Sequence, residues 1–192
     1  MKKRVAVFSG SFNPIHIGHL ALANYVCETN QVDELWFMVT PENPLKSAQI
    51  LAQDQLRLKM VKIAITGYDK FKLCDLEFSL PRPSYTINTL RELQKSYPEY
   101  KFSLLIGADN WNSFHKWKSS EIILRDFDLL IYPRMNYEVN ISTLPLNVKL
   151  IDSPIIEISA TQIREKIKQG KDFRYFLYPS VFEFITKHKL YQ

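Results

Sequence analysis

The chain has little cysteine and no long hydrophobic run, and each shortage excludes a class of protein. Its two cysteines, Cys27 and Cys74, lie too far apart for a metal-binding spacing, so we expect reduced thiols and a cytoplasmic protein. No apolar run approaches the roughly 20 residues of a membrane helix, so we expect no segment to cross a membrane. The apolar stretch that follows Met1–Arg4 is also too short for a signal peptide.

The composition is typical of a folded, basic domain. Hydrophobic residues make up 46% and charged residues 23% of the chain, which are ordinary proportions for a soluble globular protein. A length of 192 residues is enough for one domain with a sizeable core, and no repeat or low-complexity segment divides it, so we expect a single domain over 1–192. The net charge of +5 suits an anionic partner, either a nucleotide or a nucleic acid.

Strand-like runs alternate with helical patterns along the chain, which predicts an α/β fold with a doubly wound parallel sheet. The predicted strands cover 5–9, 34–40, 71–73, 101–107, 127–132 and 148–151. The predicted helices cover 17–30, 54–66, 84–97 (with Ser84 or Thr86 as the N-cap), 111–124, 159–169 and 180–188. In such sheets ligands bind beyond the carboxyl ends of the strands, so the loops at those ends are the candidate site.

The segment from Gly10 to His19 carries the strongest functional signal. A predicted buried strand leads into a turn of small residues and then into a helix, and the free N–H groups and dipole of a helix N-terminus attract phosphate. His16 and His19, three positions apart, place both imidazoles on the phosphate side of the first turn. Their N–H donors suit the charge that develops on a phosphoryl group, whereas the alternative is an ordinary pair of helix histidines.

Other polar residues follow predicted strands, and each also has an ordinary structural explanation. Lys46 lies in a loop stiffened by two prolines, where it either reaches a triphosphate or is simply solvated. Asp109, two residues after Gly107, either accepts ribose hydroxyls or caps a helix. Of Trp111 and Trp117, either is a candidate to stack on a ring, although an aromatic residue at helical spacing is more often part of the core.

The segment around Ser159 is a second candidate phosphate site. Ser159 is typical of an N-cap, Thr161 lies in the first turn, and Arg164 follows three residues later. The turn therefore offers hydroxyls, backbone N–H groups and a guanidinium to a phosphate, although an ordinary capped helix has the same pattern.

Together these segments resemble the nucleotidyltransferase superfamily that is marked by an HxGH motif and a late Ser-x-Thr-x-x-Arg motif. Within it, the chain resembles the nicotinate-nucleotide adenylyltransferase family along its whole length. The narrower resemblance rests on segments 43–46, 83–90, 106–110, 114–118, 178–181 and 189–191. Ser9, Asn13, Asn88 and Ala160 stand where the family often has Gly, Asp, Asp and Ser, and none of these departures removes a proposed phosphate ligand.

The resemblance implies a Rossmann-like fold with a small C-terminal helical part at about 155–192, and transfer of AMP from ATP to nicotinate mononucleotide, which gives deamido-NAD and diphosphate in NAD biosynthesis. The implied catalytic residues are His16, His19, Lys46 and Arg164. The implied ATP-binding residues are Gly10, Ser11, Phe12, His16, Gly18, His19, Gly107, Asp109, Ser159, Thr161 and Arg164. The implied mononucleotide-binding residues are Asn13, Lys46, Tyr85, Thr86, Trp117, Lys118 and Arg134. Mg²⁺ is expected to arrive on ATP, without a metal site built by the protein.

Three alternative functions remain open at this point. The first alternative is an adenylyltransferase of the same fold that uses nicotinamide mononucleotide or phosphopantetheine. The two main motifs do not exclude either substrate. The sequence His16-Ile17-Gly18-His19 also occurs in aminoacyl-tRNA synthetases, but the companion Lys-Met-Ser-Lys-Ser sequence is absent, so we expect no nucleic-acid partner. The third alternative is a regulator that binds nucleotides but does not catalyse a reaction. The oligomeric state is not predicted.

Overall fold

The computed structural model describes residues 2–41 and 51–192. Six strands lie in this part of the chain: β1 (Lys3–Gly10), β2 (Glu34–Val39), β3 (Phe71–Cys74), β4 (Tyr100–Gly107), β5 (Asp128–Tyr132) and β6 (Val148–Leu150). The α-helices are α1 (Ile17–Glu28), α2 (Asp54–Ile65), α3 (Thr86–Ser96), α4 (Ala108–Asn112), α5 (Ser120–Asp126), α6 (Ala160–Lys168) and α7 (Pro179–Lys187).

The strands form one parallel sheet in the order β3-β2-β1-β4-β5-β6, which confirms the predicted doubly wound fold. The chain builds outward from β1 to β3 and then returns to place β4 on the other side of β1. This return creates the switch point at which ligands of such sheets bind. Two residues before the carboxyl ends of these central strands, Phe8 pairs with Leu105, so Gly10 and Gly107 end their strands side by side.

Side chains that alternate along the central strands fill two cores, one on each face of the sheet. Ala6 and Phe8 belong to the core formed with α1, α2, α6 and α7, whereas Val5 and Val7 belong to the core formed with α3 and α5. Both faces are therefore covered by helices, which explains why the strands are continuous apolar runs rather than alternating ones. Ile163 and Val181 of the C-terminal helices lie in the first of these cores.

The cap predicted for the third helix is wrong. Tyr85 is the N-cap of α3 and makes no side-chain capping bond. The Ser84 hydroxyl instead donates to the carboxylate of Glu77, 3.2 Å away. The first helix is also shorter than predicted, because Asn30, at φ 56°, has left the helical conformation.

The helix predicted over 111–124 is divided. It consists of α4, a 3-10 turn at Phe114–Lys116 and α5, and Ser119 takes a left-handed φ of 57° between the last two. Residues 133–147, between the fifth and sixth predicted strands, contain a bridge between Arg134 and Tyr137 and a 3-10 turn at Ile141–Thr143. The apolar pattern did not reveal the division of the helix over 111–124, because Phe114 and Ile123, on either side of Ser119, both belong to the same core.

Candidate active site

The turn between β1 and α1 brings the two predicted histidines into contact. His16 is the N-cap of α1, and the ring of His19 stacks on its ring with the centroids 3.6 Å apart. The backbone N–H of His16 also donates to Nδ1 of His19 at 3.3 Å. The two imidazoles therefore lie against each other at the N-terminus of α1.

His16 is almost fully buried, and this burial sets its charge. Desolvation, with a contribution from the positive charge of Arg134, lowers the pKa of His16 to about 4, so the ring is neutral at physiological pH. Among the described residues, its buried Nδ1 atom has no hydrogen-bond partner. The ring fits because position 18 is glycine: a Cβ atom there would lie 3.2 Å from Nδ1 of His16 and 3.4 Å from a methyl group of Ile156.

The second motif lies against the first. The Ser159 hydroxyl caps α6 by accepting from the N–H of Gln162 at 3.4 Å, as the sequence predicts. Arg164 donates to the backbone carbonyl of Asn13 at 2.7 Å and to the Thr161 hydroxyl at 3.3 Å. The start of α6 and the turn before α1 therefore share one region of the molecule, although the sequence separates them by about 150 residues.

Asn13 is a junction that the sequence does not reveal. It is buried, and its Oδ1 atom accepts from the Tyr191 hydroxyl at 2.8 Å and from the N–H of Ala52 at 3.2 Å. The penultimate residue of the chain thus supports the turn that carries the histidines. The amide fills this role with neutral partners, which gives a structural reason for an asparagine at this position.

A cavity of about 750 Å³ opens at the carboxyl ends of β1 and β4. It is large enough for a drug-sized ligand. Seven of the predicted site residues line it: Gly10, Tyr85, Thr86, Gly107, Asp109, Trp117 and Lys118. Residues predicted for the mononucleotide and for the ribose of ATP therefore face the same space.

One end of the cavity is aromatic and polar. The Lys118 ammonium lies 4.1 Å from the centroid of the Tyr85 ring, close enough for a cation–π contact. Trp117 packs on Phe114 with the ring centroids 5.2 Å apart. Within the described part of the chain, its buried Nε1–H has no acceptor. An aromatic face, a cation and an unused donor are together suited to a flat anionic ring.

Asp109 and Arg134 connect the cavity to the histidine pair. Oδ1 of Asp109 lies 3.6 Å from Nε of Arg134, and the charge of Arg134 reaches His16, whose pKa it lowers. Asp109 approaches the backbone so closely that a Cβ atom at position 107 would lie 2.3 Å from Oδ1. Gly107 therefore makes room for a carboxylate of this chain itself, and not only for a ligand. The N-cap of α4 is Gly107, so the alternative of Asp109 as the cap is wrong.

Arg57 is a further residue that sequence reasoning missed. It is fully buried on α2, and it donates to the carbonyls of Ser11 and Thr40, both at 2.7 Å. It also pairs with Asp54 at 2.5 Å and donates to the carbonyl of Pro41 at 3.2 Å. A single buried guanidinium thus joins the end of β2 to the turn between β1 and α1. An arginine inside an amphipathic helix gives no sign of such partners in the sequence.

The remaining predictions divide in two. Ser11, Phe12, Asn13, His16, Gly18, His19, Ser159, Thr161 and Arg164 belong to the two joined motifs, and Arg134 contacts Asp109 of the cavity lining. Lys46 and the segment 43–46 lie outside the described residues. Within residues 2–41 and 51–192, no three histidine, cysteine or acidic side chains are grouped as metal ligands. No helix in these ranges has the length and apolar character needed to cross a membrane.

Comparison with known proteins gives a consistent set of relatives. A profile of the cytidylyltransferase-like family matches residues 7–166. A Bacteroides fragilis protein named "probable nicotinate-nucleotide adenylyltransferase" is 56% identical over 186 residues, which cover 97% of this chain and 92% of the relative. A protein of the same name from Bacteroides thetaiotaomicron is 51% identical over 97% of this chain and 93% of its own length.

The solved structures agree on the fold. Plasmodium falciparum nicotinic acid mononucleotide adenylyltransferase, complexed with NaAD, superposes with a TM-score of 0.82 at 22% sequence identity. The match covers 98% of this chain and 97% of that one. At this level of identity the superposition establishes a common fold, and it agrees with the strand order described above.

Proposed function

Since the chain belongs to the nicotinate-nucleotide adenylyltransferase family, we propose that it transfers AMP from ATP to nicotinate mononucleotide and releases diphosphate and deamido-NAD. This is a step of NAD biosynthesis. The observation that carries the proposal is the continuity of the site. The cavity with Trp117 and Tyr85 meets the joined histidine and Arg164 motifs through the Asp109–Arg134 contact.

The reaction is an in-line displacement. A phosphate oxygen of the mononucleotide attacks the α-phosphorus of ATP, and the bond from that phosphorus to the diphosphate breaks. The attacking phosphate is already mostly ionised at neutral pH, because the second pKa of a phosphate monoester is about 6. The site therefore needs no strong base, and its task is to bring the two anions together and to neutralise their charge.

The residues divide this task by position. His16 and His19 lie at the N-terminus of α1, where their N–H groups and the helix dipole face the α-phosphate. Arg164, Thr161 and the free N–H groups at the start of α6 hold the departing diphosphate. Lys46 is a further phosphate ligand on the evidence of the family motif.

The other end of the cavity selects the nucleotides. Asp109 and Gly107 hold the ribose of ATP, and Arg134 holds a phosphate next to them. Trp117 stacks on the pyridine ring, and Thr86, Tyr85 and Lys118 surround its carboxylate. The positive charge and hydrogen-bond donors at this end favour the acid over the amide form of the mononucleotide.

Three further parts of the proposal follow from chemistry and packing. Mg²⁺ would be carried by ATP rather than by a protein site, and it would supply positive charge against the triphosphate. The chain works as one domain over 1–192, a proposal supported by the packing of Ile163 and Val181 into the core of the sheet. The protein acts in the cytoplasm, where reduced Cys27 and Cys74 fit.

The proposal is tested by diphosphate release from ATP and Mg²⁺, with nicotinate and nicotinamide mononucleotides compared side by side. The variant His19→Ala removes one member of the stacked pair. The matched control is His188→Ala, since His188 is exposed at the C-cap of α7. We expect release with the acid at least about tenfold above release with the amide, and a loss of about a hundredfold or more in His19→Ala alone.

Each other outcome changes the proposal in a defined way. Equal use of both mononucleotides keeps the chemistry and overturns the specificity. Release with neither overturns the mononucleotide substrate, and phosphopantetheine is then the next acceptor to test. Equal loss in His19→Ala and His188→Ala contradicts the role of the histidine pair.

A further inference from the structure

Glu77 is a buried carboxylate that lines the cavity and has no part in the mechanism above. It lies in a short 3-10 turn after β3, and only 4% of its surface is exposed. Among the described residues no lysine or arginine lies within ion-pair distance of it. Burial raises the pKa of Glu77, and hydrogen bonds from two hydroxyl groups oppose that rise.

The two hydroxyl groups lie on either side of the residues proposed to bind the mononucleotide. The hydroxyl of Thr89 donates to Oε1 of Glu77 at 2.8 Å, and that of Ser84 donates to Oε2 at 3.2 Å. Tyr85 and Thr86 stand between these two donors in the chain. One carboxylate thus holds both ends of the segment that presents Tyr85 and Thr86 to the cavity.

Within this segment the Thr89 hydroxyl also reaches the backbone carbonyl of Tyr85, but at 3.4 Å this contact is longer than its 2.8 Å bond to Glu77. The N-cap of α3, Tyr85, makes no side-chain capping bond of its own. The carboxylate of Glu77 comes instead from an element that precedes the helix, and its negative charge also suits the positive end of the α3 dipole. A buried charge with only two hydroxyl partners stabilises a fold poorly, so stability alone does not account for it.

We propose that Glu77 is a positioning residue that fixes Tyr85 and Thr86 for binding of the nicotinate end of the mononucleotide. The inference rests on the proposed function. It predicts a selective effect, because the ATP side of the site depends on other elements: α1, α6 and the end of β4.

The test compares Glu77→Met, which keeps the size but removes both acceptors, with Glu77→Gln, which keeps the shape and one acceptor oxygen. Steady-state rates give the KM for nicotinate mononucleotide, the KM for ATP and kcat, and urea titration gives the unfolding free energy. Glu99→Met, at an exposed position after α3, is the control. We expect Glu77→Met to raise the KM for the mononucleotide by about tenfold or more with the KM for ATP changed less than about twofold. Glu77→Gln should recover most of this loss.

Single hydroxyl deletions keep the inference testable if Glu77→Met does not fold. Thr89→Val and Ser84→Ala each remove one donor to Glu77, and each should raise the same KM by a smaller factor. Equal effects on both KM values, an effect that tracks unfolding free energy, or no effect in any variant would overturn the inference. A wild-type protein that does not use the mononucleotide overturns the proposed function as well, whereas an active wild type with unselective variants overturns this inference only.

Discussion

Nη1 of Arg164 lies 2.7 Å from the backbone carbonyl oxygen of Asn13, and this bond joins the two motifs of the candidate site. A second N–H of the same guanidinium reaches the Thr161 hydroxyl. An arginine has five N–H donors, so these contacts orient the group and leave others for a phosphate. Arg164 thus connects α6 to the turn between β1 and α1, and it is also a candidate phosphate ligand.

Replacing Arg164 should reduce turnover strongly. In Arg164→Met both this connection and the positive charge are lost, and we expect kcat/KM to fall by about a hundredfold or more. Arg164→Lys keeps the charge but lacks the planar fork that serves two acceptors, so it should be intermediate. Steady-state diphosphate release measures both. Lys168→Met, an exposed position in the last turn of the same helix, is the control. Full activity of Arg164→Lys would mean that charge alone matters.

The buried His16 should make the stability of the protein depend on pH. Its pKa of about 4 in the folded protein lies below the ordinary value of 6.5, so the unfolded chain binds the additional proton between these values. The unfolding free energy should therefore fall as pH is lowered from 7 to 4, and this ring should contribute about 3 kcal/mol of the fall.

Urea titrations at several pH values, on the wild type and on His16→Asn, measure this contribution. The asparagine variant removes the titration, so its unfolding free energy should change less over the same pH range. Parallel curves for the two proteins would show that His16 is not held neutral. Ligands give a second check, since a bound phosphate favours the charged ring and should raise the pKa of His16 above its value in the free protein.

Much of the fold and part of the site follow from local sequence signals. The doubly wound parallel sheet follows from the alternation of strand-like and helical patterns along the chain, because right-handed crossovers between parallel strands leave few arrangements. The Gly10–His19 turn and the Ser159 cap are local too, since their donors and acceptors lie within a few residues. The sequence therefore predicts both helix N-termini and, through the switch point, the edge of the sheet where they lie.

The contacts that fix the site are long-range and were not predicted. The Tyr191 hydroxyl donates to Asn13, which is 178 residues away in the sequence. Arg57 donates to backbone carbonyls of two separate loops. Ser84 has the sequence signature of a helix cap, but its hydroxyl prefers the buried carboxylate of Glu77. A polar residue in a helix or loop gives no indication of which distant carbonyl or carboxylate it will meet, because that depends on tertiary packing.

Gly107 provides a test of close packing at the end of β4. In Gly107→Ala the new Cβ atom would lie 2.3 Å from Oδ1 of Asp109 and 3.1 Å from the Tyr132 ring. One of these groups must move, and overpacking of this kind costs about 1–3 kcal/mol. We expect lower unfolding free energy in urea and a raised KM for ATP, since Asp109 is displaced.

The double variant Gly107→Ala/Asp109→Ala separates packing from binding. Removing the carboxylate relieves the shorter contact, so the double variant should regain part of the stability that Gly107→Ala loses. Its KM for ATP should stay high because the proposed ribose ligand is absent. Strictly additive losses of stability would contradict the contact between position 107 and Asp109.

Arg57 and Arg82 contact the same carboxylate from different environments, and this gives the sharpest test of burial. Arg57 is fully buried and lies 2.5 Å from Oδ1 of Asp54, whereas the side chain of Arg82 is 53% exposed and lies 3.0 Å from Oδ2. Arg57→Met leaves Asp54 and the carbonyls of Ser11 and Thr40 without their donor, so we expect a loss of about 3–5 kcal/mol of unfolding free energy. Arg82→Met removes only a solvated pair and should cost less than about 1 kcal/mol.

Urea titration of both variants at pH 7 measures the difference, and diphosphate release shows whether it extends to function. Arg57 donates to the carbonyl of Ser11 in the turn between β1 and α1. Loss of this bond in Arg57→Met should therefore also lower turnover under conditions where the variant remains folded. Arg82→Met should keep wild-type turnover. Equal stability losses in the two variants would mean that the charge of Asp54, rather than the buried carbonyls, determines the contribution of Arg57.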